Sequence, residues 1–214
     1  VILFAIFIHI IIHEAGHLVF GKLSGYKFAS FRVASFMFIK DNGKLKVKRF
    51  NIVGTGGQCL MMPDSKWNAY EYPFVLYNLG GSLANMIVAL ISISLYIMFP
   101  GIKYLSEILF ILFVIGIVFS LINGIPMQIE GLANDGYNII SLNKDRQARR
   151  ALYMQLDING LQTKGTRLKD MPEGYFELPE DADLTNPLIA AIGVFKCNYL
   201  HDKKEFNQAK EYSL

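Results

Sequence analysis

Three stretches, Val1–Phe20, Pro73–Phe99 and Tyr104–Ile125, are each long and apolar enough to cross a bilayer, and they dominate what this chain can fold into. About 20 helical residues cover a hydrocarbon core of roughly 30 Å. The first stretch has no basic start and no small-residue cleavage site, so it reads as a retained helix and not as a signal peptide. Across all 214 residues, 52% are hydrophobic, and the charges cluster between the apolar runs, as in multi-pass membrane proteins. A formal net charge of +3 without a basic-aromatic patch excludes a nucleic-acid partner. Cys59 and Cys197 are far apart and form no CxxC pair, so they are expected to be structural or free thiols. The chain starts at Val1 rather than Met, the pattern of a fragment with room for a helix upstream.

The loops set the expected orientation. Between the first and second stretches lie Lys22, Lys27, Arg32, Lys40, Lys44, Lys46, Lys48, Arg49 and Lys66, whereas the short link before the third holds only Lys103. The positive-inside rule places the long loop and the C-terminal region in the cytosol, in a multi-pass protein of the cell membrane. A basic loop of this kind also suits a lipid-headgroup surface. Within it, FRVASFMFIK, then Asp41-Asn42-Gly43, then KLKVKRFNIV predict a membrane-associated β-hairpin over about residues 31–53, turning at Asn-Gly. The following Gly54-Thr55-Gly56-Gly57-Gln58 would let another chain approach the backbone closely.

Beyond about Leu142 the composition is that of soluble protein. NKDRQARRALYMQL predicts a helix, MPEGYFELPEDADLTNP a polar linker, and Asn186-Pro187 a helix start. LIAAIGVFKCNYL and KEFNQAKEY then predict a helical hairpin with loosely tetratricopeptide-like spacing, which would pack on the membrane part or on a protein partner. The expected fold is mainly α: a polytopic membrane domain at 1–142 with a three-helix transmembrane core (spans about 1–20, 73–99 and 104–125) and a cytosolic hairpin, followed by a small helical cytosolic tail at 143–214.

The first apolar stretch contains His13-Glu14-Ala15-Gly16-His17. Residues four apart lie one turn above each other on a helix, so His13 and His17 can offer two imidazoles to one metal ion. Glu14 is then placed to take a proton from a water on that metal, the chemistry of a zinc hydrolase. On a soluble helix this pattern arises by chance. Within a membrane span, ionisable groups are costly and mark function. His9, one turn earlier, fits a buried hydrogen-bonding role better than a ligand role, and His201 fits the surface. Zinc needs a third protein ligand. Glu130 and Asp135, after the third span, are both available, and spacing alone does not choose between them.

In combination these motifs resemble the site-2 protease family of intramembrane zinc metalloproteases. The match runs over about residues 1–140: HEAGH on the first span, Gly80-Gly81-Ser82-Leu83-Ala84-Asn85 on the second, and Asn123, Pro126 and Asp135-Gly136 around the end of the third. The resemblance implies Zn2+ on His13, His17 and Asp135, Glu14 as general base, and Asn85 steadying the substrate or the developing oxyanion. It also implies that Gly56-Gly57 belongs to a substrate-binding, membrane-associated strand. Close helix packing also accounts for Gly80-Gly81, and an interhelical hydrogen bond for Asn85. The expected activity is hydrolysis of a peptide bond in a membrane-spanning or membrane-associated substrate. The main alternative is an inactive relative that binds membrane proteins through its tail. A metal transporter is disfavoured, because three spans with one compact motif offer no pathway.

Overall fold

A computed structural model describes residues 1–41, 44–49, 56–129 and 132–212. The chain is mainly helical, with three helices long and apolar enough to cross a membrane and a small antiparallel sheet. Those helices are α1 (Ile2–Leu23), α2 (Val75–Met98) and α3 (Lys103–Gly124). They fall within a few residues of the expected spans.

The bundle they form is polar inside and apolar outside. His9, Ser82, Asn85, Ser92 and Ser120 are buried, whereas Leu3, Ile87, Leu90, Ile91 and Ile97 are exposed. Water would penalise that arrangement and lipid favours it, since lipid tails solvate leucine but cannot solvate an amide. Small residues set how closely the helices approach. A Cβ on Gly16 of α1 would collide with the Gly80 carbonyl of α2, and one on Gly80 would come 2.7 Å from the Gly16 carbonyl. The two backbones touch there, and any side chain would force them apart.

Between α1 and α2 the chain builds a four-stranded antiparallel sheet, where the sequence predicts a two-stranded hairpin. Its strands are β1 (Lys27–Val33), β2 (Phe36–Asp41), β3 (Lys44–Arg49) and β4 (Gly57–Met62), in the order β3-β2-β1-β4. The expected hairpin is β2–β3, with Asp41 opposite Lys44. Its Asn42-Gly43 turn lies outside the described residues, as do 50–55. FRVASFMFIK does not form one strand: the chain reverses at Ala34-Ser35, with Ala34 in the left-handed region at φ 49°. The physical reason that β1 escapes a pattern search is that its inward face carries the buried polar residues Ser30 and Arg32. The Arg32 guanidinium donates there to the Ala34 carbonyl at 2.9 Å and the Gly57 carbonyl at 3.2 Å.

After α3, the short strands β5 (Gln128–Ile129) and β6 (Leu132–Ala133) lead into α4 (Asp135–Lys144) and α5 (Arg146–Thr163). A 3-10 turn at Leu168–Asp170 precedes the expected linker and a second, at Glu173–Phe176, lies within it. The helices α6 (Pro187–Lys203) and α7 (Phe206–Glu211) then form the expected helical hairpin, with Asn186 as N-cap, Pro187 in the first turn and Lys204 left-handed at the corner. This C-terminal part does not hang free. Leu152 and Leu156 of α5 and Ile189 and Ile192 of α6 share one core with Met61 of β4 and with Tyr26, Tyr72, Phe74 and Tyr77. The contact between α5 and β4 is close, because a Cβ on Gly160 would overlap the Met62 side chain. One core therefore joins residues on both sides of position 142.

A candidate metal centre

Helix geometry places His13 and His17 on one face of α1, with their Nε2 atoms 3.1 Å apart. The third group comes from the first residue of α4. Asp135 Oδ2 lies 3.2 Å from His13 Nε2 and 3.4 Å from His17 Nε2. These three residues form a group that could hold a metal ion. The distances have a simple meaning, since tetrahedral ligands about 2.0–2.1 Å from a zinc ion stand ~3.3–3.4 Å from one another. Two imidazole nitrogens and one carboxylate oxygen are also a donor set suited to that ion. Asp135 Oδ2 is buried, and its geometry toward the two rings is poor for hydrogen bonding. An oxygen so placed is better suited to a shared cation than to either ring. Burial penalises the Asp135 carboxylate, but the approach of His13 and His17 outweighs this and holds its carboxyl down to about 2.

Each donor is aimed by a neighbour. His17 Nδ1 donates to the Tyr77 carbonyl at 2.7 Å, leaving Nε2 free to point into the site. The His13 ring lies against Gly81, where a Cβ would overlap it. Asp135 is held through Asn134, the N-cap of α4, whose Oδ1 accepts from the N–H groups of Tyr137 at 2.8 Å and Met127 at 3.1 Å. The Asn134 amide donates to the Ile122 and Ile125 carbonyls, both at 2.6 Å, and so ties the end of α3 to the start of α4. Gly136 completes the junction, since a Cβ there would collide with the Gly124 carbonyl.

Glu14 lies beside this triad and accepts a hydrogen bond from the Cys59 backbone N–H of β4. A Cβ on Gly57 would come within 2.6 Å of Glu14 Cγ, so only glycine lets the strand pass this close to the carboxylate. Gly56 lies one step away against Ile10, 3.0 Å from its Cδ1 by the same measure. A cavity of about 260 Å³ opens at the triad, lined by His13, Glu14, His17, Gly57, Asp135 and, from α5, Leu152 and Leu156 among others. β4 pairs with no strand but β1 among the described residues, and on its other edge the Cys59 N–H is taken by Glu14 and the Cys59 carbonyl by the Tyr77 hydroxyl at 3.2 Å.

The structure thus brings His13, Glu14, His17, Asp135 and Gly57 to one place. Glu130 lies outside the described residues. Asn85 is placed differently: its Oδ1 is 2.8 Å from His9 Nδ1, and it does not line the cavity. His9 Nε2 in turn lies 2.9 Å from the Leu112 carbonyl of α3. A neutral His9 satisfies both contacts only if the Asn85 amide is turned, so that its NH2 donates to Nδ1 while Nε2–H donates to Leu112. That turn also gives a partner to Asn85 Nδ2, which otherwise has none among the described residues. His9 and Asn85 therefore tie α1, α2 and α3 together. Sequence reasoning missed Tyr77, whose contribution is a backbone carbonyl that no side-chain pattern can reveal. It also missed the capping role of Asn134, which an Asn directly before an acidic first turn would have signalled.

No family model, curated protein or solved structure matches this chain.

Proposed function

We propose that this protein is a zinc-dependent intramembrane endopeptidase of the site-2 protease type, in the cell membrane, with its basic loop and C-terminal helices in the cytosol. The observation that carries this reading is the convergence of His13 Nε2, His17 Nε2 and Asp135 Oδ2 at tetrahedral edge distances, with Glu14 beside them. A zinc ion held by these three would leave one position open, polarise a peptide carbonyl and lower the pKa of a water.

The remaining chemistry belongs to the chain. Glu14 takes the proton of the attacking water and delivers it to the leaving amine, and the Cys59 N–H holds its carboxylate in place. The side-chain amides of Gln58 and Asn138 line the cavity and can hydrogen-bond a substrate segment that lies with its amide over Glu14. A helical substrate hides its amides in intrahelical hydrogen bonds, so it must unwind to be cut. Leu152 and Leu156 cover the cavity from α5 and keep bulk water off the reacting amide. The substrate class is accordingly a membrane-spanning or membrane-associated peptide.

The test compares membrane peptides from cells carrying the wild-type protein with those from cells carrying Glu14→Gln. Fragments present only with the wild type support the reading. Fragments produced equally by Glu14→Gln sink the mechanism.

A further inference from the structure

A second cavity, of about 440 Å³, lies between the sheet and α5 and adjoins the cavity at the metal centre. Gln58 borders both cavities, so they are neighbours along one strand. Strand register explains the groove's composition. Ile39 of β2 and Leu60 of β4 each lie directly across from Ser30 of β1 and give the floor two apolar side chains around a hydroxyl, and Met37 and Lys48 pair one step along. On α5, Leu152 and Leu156 face the metal centre, while Asn159 and Thr163, one and two turns further on, wall the groove. One helix face thus runs over both cavities.

The charge in this groove is one-sided. Exposed Lys48 and Arg49 line it, and among the described residues no carboxylate does. Its polar wall of Asn159, Gln162 and Thr163 can hydrogen-bond a backbone but cannot neutralise the two cations. We infer that this groove is a substrate subsite, which receives an extended segment flanking the scissile bond and selects for acidic side chains through Lys48 and Arg49. The occupant is the substrate's own chain. It passes from the metal centre over Gln58, crosses the sheet with apolar side chains on Leu60 and Ile39, and turns its carboxylates toward the two cations. The inference rests on the proteolytic reading for what the groove serves, but occupancy of the groove can be measured without any hydrolysis.

The experiment uses the purified full chain in detergent and two fluorescent pentapeptides capped at both ends, one alternating valine with glutamate and the other valine with lysine. Fluorescence anisotropy is expected to show the glutamate peptide binding at least tenfold more tightly. The Lys48→Glu/Arg49→Glu double variant is expected to reverse that preference. Lys48 and Arg49 are exposed, so the reversal does not put folding at risk. A bulky Asn159→Trp change, which fills the groove, should weaken binding of the glutamate peptide at least tenfold. Equal binding of the two peptides, or a preference that survives the double reversal, overturns the subsite. If the glutamate peptide binds as described but no peptide is ever cleaved, the proteolytic reading fails and the groove stands.

Discussion

On the proposed zinc reading, replacing Gly81 with alanine should weaken metal binding while leaving the helices intact. Alanine is the better helix former by about 1 kcal/mol, so α2 itself gains from the change. The damage comes from the added methyl group. On this backbone it would overlap the His13 ring and lie 2.6 Å from His13 Nε2, the atom that faces Asp135. Ordinary contact begins near 3.5 Å, so the ring must withdraw by about 1 Å. A zinc ligand is held to within about 0.2 Å, so the required movement exceeds the tolerance roughly fivefold. Disturbing a group that merely orients a ligand weakens metal affinity about 10–100-fold, and displacing the ligand itself should reach the upper end, or about 2.7 kcal/mol. The assay is zinc retained per chain after equilibration with a graded series of chelators, read beside far-ultraviolet circular dichroism. Gly101→Ala is the control, because nothing lies within 4 Å of that position. Gly81→Ala protein that keeps its helicity and holds zinc as tightly as the wild type would refute this account of the site.

Two further outcomes are expected, beside those stated for Glu14→Gln and for the groove. Asn134→Ala removes the N-cap of α4 and two donors to the end of α3, and should lower stability by about 1–2 kcal/mol in chemical denaturation. It should weaken zinc retention as well, and an unchanged zinc affinity would show that Asp135 needs no such anchor. Burial, with the Glu14 charge adding to it, pushes the Cys59 thiol up to about 12. At pH 8 it stays protonated and inert, so iodoacetamide followed by peptide mass mapping should label Cys197 and spare Cys59 until the protein is unfolded.

Much of the bundle was legible in the sequence because lipid imposes length and polarity on a span, and α1, α2 and α3 fall close to the expected limits. The metal ligands were legible in halves. His13 and His17 follow from helical spacing. Asp135 followed only from resemblance, because its approach depends on how α3 ends and how Asn134 turns the chain into α4. The sheet was read only in part. β2 and β3 alternate around an Asn-Gly turn, but β1 hides its alternation behind buried Ser30 and Arg32, and β4 opens on a glycine and continues in a run of apolar residues. Glycines 57 and 81 were visible as small residues. That each makes room for a catalytic-site side chain, Glu14 and His13 respectively, depends on distances between elements that no local pattern encodes.

The tie from His9 to Asn85 and Leu112 also bears on how such a protein can move. The same helix that presents His13 and His17 is anchored one turn earlier on both neighbours, and one turn later its backbone rests on Gly80. A slide of α1 by one turn, about 5.4 Å, would strand a buried imidazole and amide among hydrocarbon and drive side chains into the Gly16–Gly80 contact. α1 is thus a fixed post and not a piston. On the proposed reading, any movement that admits a guest chain falls to the parts packed against that post, β4 and α5, and not to α1 itself.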